Sequence, residues 1–62
     1  MSSTLTTKEL NALSEQINSE QVLVKKYRKM AELAGDGSIK ANLNTYADKH
    51  QQHANTLMGF LQ

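Results

Sequence analysis

In the first half of the chain, apolar residues recur at alternating steps of three and four: Leu10, Leu13, Ile17, Val24, Tyr27, Ala31 and Ala34, with Glu20 in the same register. That spacing lines one side of an α-helix and forms a heptad seam. The second half repeats the alternation with Ile39, Leu43, Tyr46, His50, His53, Leu57 and Phe60. Thr6 and Glu9 have the spacing of a capping box, and Leu5 and Leu10 that of a hydrophobic staple, so the first helix is expected to begin at Thr6. Gly35-Asp36-Gly37-Ser38 supplies a left-handed helix end followed by a fresh N-cap from Asp36 or Ser38. The pattern therefore predicts an all-α chain with one domain: helix 1 over about 6–34, a turn over 35–38, and helix 2 over about 39–61. A tight turn between two long helices makes them antiparallel neighbours.

Beside each seam runs a second apolar stripe, Leu23 and Met30 on the first helix and Ala47, Ala54 and Leu61 on the second. An apolar face this wide suits a bundle of more than two helices. A lone hairpin is expected to leave Leu23, Met30, Ala47, Ala54 and Leu61 facing water, and these five residues are the predicted interface of a homodimer forming a four-helix bundle. Val22 and Met58 lie further round.

Length strengthens that expectation. A chain of 62 residues buries too small a share of its surface to be more than marginally stable alone. With no cysteine, disulfides and thiolate zinc sites are closed as sources of support. Association comes first among the remaining routes and metal second. Seven Lys and Arg against six Asp and Glu leave a formal charge of +1, too weak a field to imply nucleic acid or an anionic membrane as partner. The start, Met1-Ser2-Ser3-Thr4, has no charged segment leading into an apolar run, and no apolar stretch approaches the ~18 residues of a membrane span. The expectation is a soluble protein made in the cytoplasm.

Folding the hairpin about its turn sets Tyr27 opposite Tyr46, Val24 opposite His50 and Glu20 opposite His53. The ionisable seam residues Glu20, His50 and His53 thus share one layer. Because a buried charge is costly unless paired, one reading is a satisfied polar layer that fixes register, with Glu20 meeting His53. The other is a site for a divalent metal, since imidazole and carboxylate together suit zinc, iron or copper.

Three blocks carry a resemblance: Leu5-Thr6-Thr7-Lys8-Glu9-Leu10, Glu20-Gln21-Val22-Leu23-Val24-Lys25-Lys26-Tyr27, and His50-Gln51-Gln52-His53-Ala54-Asn55-Thr56-Leu57. With them the chain resembles the short coat F-type spore coat proteins of endospore-forming bacteria. The resemblance implies a ferritin-like helical hairpin, a place in or near the spore coat, other coat proteins as partners, and no established catalytic chemistry. Ferritin-like di-iron bundles use a Glu on each of two helices and Glu-x-x-His on the other two. Glu20 matches the first element and His53 the histidine of the second, and Tyr27 falls where such helices often carry a tyrosine. At position 50 a histidine stands where the bridging carboxylate belongs.

Lys25, Lys26, Arg28 and Lys29 form a basic run that would suit phosphates or an acidic partner, or simply a solvated helix face. No nucleophile, base and oxyanion-stabilising set is assembled along the chain, so no enzyme activity is expected. The leading expectation is a structural assembly protein acting through its helical faces. The alternative is a metal-binding or vestigial redox bundle built on Glu20, His50 and His53, and a DNA-associated role rests on the basic run alone.

Overall fold

The computed structural model describes residues 4–61, so the leader reading at residues 1–3 lies outside it. Two helices, α1 (Thr7–Leu33) and α2 (Gly37–Gly59), pack against each other as a hairpin, with no strand among the described residues. Thr6 is the N-cap of α1. Its hydroxyl accepts from the Glu9 backbone N–H at 3.0 Å, while the Glu9 carboxylate accepts from the Thr6 N–H at 3.0 Å. The two bonds together satisfy helix-end donors reciprocally.

Ala34 closes α1 in an extended conformation, and Asp36 caps α2 by accepting from the Ile39 N–H at 2.9 Å. The second helix therefore starts two residues before the sequence expectation, with Gly37 and Ser38 inside its first turn. The left-handed glycine expected at the turn is absent, because none of the described glycines has a positive φ. A short extended link replaces it, and Asp36 starts the next helix at once. At the other end α2 stops at Gly59, with Phe60 as its C-cap.

The seam of α1 follows the predicted register. Ile17, Glu20 and Ala31 are buried, and Leu13, Val24 and Tyr27 are half-buried. On α2 the seam is rotated by one position. Ala47 and Ala54 are fully buried between the helices, whereas Tyr46 and His53, placed in the seam by the sequence pattern, lie on its flank and are exposed. Size explains the rotation: methyl groups at the line of closest approach let the backbones come together, and the larger rings turn to the edge. This corrects the expectation that Ala47 and Ala54 face water in a lone hairpin. Leu23 is half-buried, and Met30 and Leu61 are exposed.

Arg28 leaves the basic run to clamp the polar side of the hairpin. Its guanidinium donates to the Asn44 side chain at 3.1 Å and to Asp48 at 2.6 Å. The molecule is a rod 47 × 16 × 10 Å with a radius of gyration of 14.5 Å, against about 11 Å for a compact domain of this length. One helix–helix contact leaves the far sides of both helices in water.

Candidate functional site

Midway along the rod, Glu20 of α1 is carried into the seam one turn beyond Ile17, and its side chain is 11% exposed. From α2, His50 approaches in the seam and His53 from the flank one turn further on. The Glu20 Oε1 lies 2.6 Å from His50 Nδ1 and 3.5 Å from His53 Nδ1. An ionised carboxylate only accepts, so His50 Nδ1 carries the proton and donates it. The sequence pairing of Glu20 with His53 is thus corrected: the short bond goes to His50, because the rotation of α2 keeps position 50 in the seam and moves 53 outward.

Two supports hold the layer. Gln16, one turn before Glu20, donates from Nε2 to the other carboxylate oxygen at 3.4 Å. Tyr27 lies parallel to the His50 ring at 5.6 Å between centroids, and meets Tyr46 edge-on at 5.8 Å. The His50 and His53 rings meet at right angles, 5.7 Å apart. Gln16 was not singled out in the sequence; its spacing of four from Glu20 on one helix is the signal that finds it. Arg28 was read only as part of a charge run, although placing it opposite Asn44 and Asp48 needs only the hairpin register.

The histidine hydrogen bond holds the Glu20 carboxyl below its ordinary value of 4.5; burial opposes the shift, and Gln16 and the histidine charges add to it. Since the folded value is lowered, the stability Glu20 contributes is present above the unfolded value and is lost as pH falls through the folded one. The gap in stability between wild type and Glu20→Gln should therefore hold near neutral pH and narrow below about pH 4.5. Urea denaturation monitored by helicity at a series of pH values measures this. A gap that stayed constant down to about pH 2 would mean that the carboxylate does not hold the layer.

Glu20, His50 and His53 form a group able to hold a metal ion, with one donor atom from each residue all within 4.8 Å of one another. All three residues singled out as candidate ligands thus meet. The expected interface residues do not form one surface, since Ala47 and Ala54 belong to the seam. In the basic run, Arg28 is spent on α2, and Lys29 pairs with Glu32 at 3.6 Å. Among the described residues no helix is long and apolar enough to cross a membrane. Comparison of the chain with protein-family models, with curated proteins and with solved structures found no match.

Proposed function

We propose that the hairpin is a non-enzymatic assembly module, one half of a four-helix bundle completed by a second copy of the chain. The observation that carries this reading is the surface left uncovered. A folded monomer of 6.9 kDa typically exposes about 4,000 Å², and this one exposes 4627 Å². Part of the excess is an apolar stripe. At about 100° per residue, Leu23 and Met30 lie on the side of α1 that carries Tyr27, and Tyr27 meets Tyr46 of α2. Ile39 and Phe60 continue that edge of α2, and Met30, Ile39, Tyr46 and Phe60 are all exposed. Arg28, Asn44 and Asp48 occupy the opposite, polar side.

A symmetric partner covering the stripe supplies a second core layer, worth about 25 cal/mol per Å² of apolar area removed from water. This interface keeps Leu23 and Met30 from the sequence pattern and replaces the two alanines by Tyr46, Ile39 and Phe60. Leu61, exposed at the end of α2, extends it only at the rim. The Glu20 and His50 pair serves as the register device of each hairpin, because sliding α2 by one heptad would set the carboxylate against Leu43 or Leu57 in place of His50. Light scattering at micromolar concentration should give twice the chain mass. A monomer mass with full helicity overturns the proposal.

The resemblance in the three blocks supports placing this assembly in the spore coat, with other coat proteins as partners and a ferritin-like ancestry for the hairpin. Immunoblotting of fractionated spores and growing cells of the source organism should find the protein in the coat extract. Its presence only in growing cells would remove the coat role and leave the assembly reading standing.

A further inference from the structure

We propose that Glu20, His50 and His53 bind one divalent transition-metal ion per hairpin through two imidazole nitrogens and one carboxylate oxygen. The donors come from a single chain, so the site does not depend on the dimer. Zinc bonds nitrogen and oxygen ligands at about 2.0–2.2 Å in a tetrahedron, which places neighbouring donors about 3.3–3.6 Å apart. The 3.5 Å between His53 Nδ1 and Glu20 Oε1 already has that length. The 2.6 Å between His50 Nδ1 and the same oxygen is a hydrogen bond. Ligation replaces that bond: the proton moves from Nδ1 to Nε2 of the neutral ring, the ion takes the freed lone pair, and the two atoms separate by less than about 1 Å.

The surroundings suit such a site. Gln16 holds the second carboxylate oxygen, the kind of outer support that fixes a ligand's orientation. In the single hairpin 60% of the His53 side chain is exposed, on the edge of α2 that also carries Tyr46 and Phe60, so the ion enters from water before a second copy covers that edge. Two neutral imidazoles and one carboxylate are the ligand types that suit zinc or copper(II), and three protein ligands leave coordination to be completed by water. A single negative charge in the layer matches one ion and disfavours a di-iron pair, which needs several carboxylates.

Titration calorimetry of the metal-free full chain with zinc chloride should saturate at one zinc per chain, with a dissociation constant in the micromolar range or below. His53→Ala removes a mostly exposed ring and should keep its helicity while losing at least about tenfold in affinity. Glu20→Gln gives a second variant that weakens binding without emptying the seam. Zinc should raise the melting temperature of the wild type, because a ligand bound only by the folded state stabilises it, and should raise that of His53→Ala less. Saturation below one zinc per chain, or equal affinity in a folded His53→Ala chain, would show an adventitious ion only and overturn the site. A monomer mass with stoichiometric zinc would sink the assembly reading and leave this one intact.

Discussion

Ala54→Leu should lower the melting temperature by about 10 °C or more, the largest effect expected of any single apolar substitution in the hairpin. Ala54 has no exposed surface, and neither has Ala47 one heptad before it. Both sit where α2 approaches α1 most closely, so the three added carbons have no room unless the helices separate. Overpacking of a filled core costs about 1–3 kcal/mol, and in a domain of this size each kcal/mol moves the midpoint by roughly 4–8 °C. The stability of so small a fold is itself only a few kcal/mol, so the variant should be partly unfolded at 37 °C. Ala41→Leu, at an exposed position of the same helix, should leave the midpoint nearly unchanged or raise it, leucine being close to alanine in helix propensity. Thermal melts followed by circular dichroism decide the matter, and equal midpoints for the two leucine variants would place the seam of α2 elsewhere.

That prediction could not have been made from the sequence pattern, and the reason is local. On α2 the positions Tyr46 and Ala47, and again His53 and Ala54, are neighbours in which either member continues the alternation of three and four. Hydrophobic pattern favours the tyrosine and carries no information on how closely the helices approach. Packing decides for alanine, since a small residue at the contact line shortens the distance between helix axes. The error at position 53 passed directly into the site: the three residues were correctly brought to one layer, but the short bond belongs to His50.

Features set by a few consecutive residues were legible. The Thr6 and Glu9 box depends on a spacing of three and on nothing distant, and it forms as the motif dictates. The seam of α1 was equally plain, because Ile17 has polar neighbours on both sides and the alternation that starts from it selects Val24 over Leu23 and Ala31 over Met30. The turn was placed but its conformation was not. Gly35 and Gly37 suggest left-handed backbone, yet the chain passes through extended residues and Asp36 caps the next helix. A β-carbon at any of the three glycines would meet nothing within 4 Å, so none is required by a close approach inside the hairpin.

Met30→Asp should dissociate the proposed dimer, while Val22→Asp should not. Both residues are exposed on α1, Val22 at 63% and Met30 at 42%, so exposure in the single hairpin would make Val22 the more sensitive if any apolar surface sufficed. Geometry distinguishes them. Met30 lies on the side of α1 that leads through Tyr27 to Tyr46, whereas Val22 points away from α2 altogether by the helical repeat. Burying a methionine at the interface contributes about 1.5 kcal/mol or more, and in a two-fold dimer the loss counts twice because the same patch serves both partners. A weakening of about 3 kcal/mol is more than a hundredfold in dissociation constant, before the cost of placing two carboxylates in an apolar layer is added. Sedimentation equilibrium across a range of concentrations reads this directly, and the dissociated Met30→Asp chain should also melt at a lower temperature, since dimer and fold are linked by mass action. If Val22→Asp dissociates the dimer and Met30→Asp does not, the partner sits on the outer face of α1, and the stripe through Leu23 and Tyr46 is ordinary exposed surface.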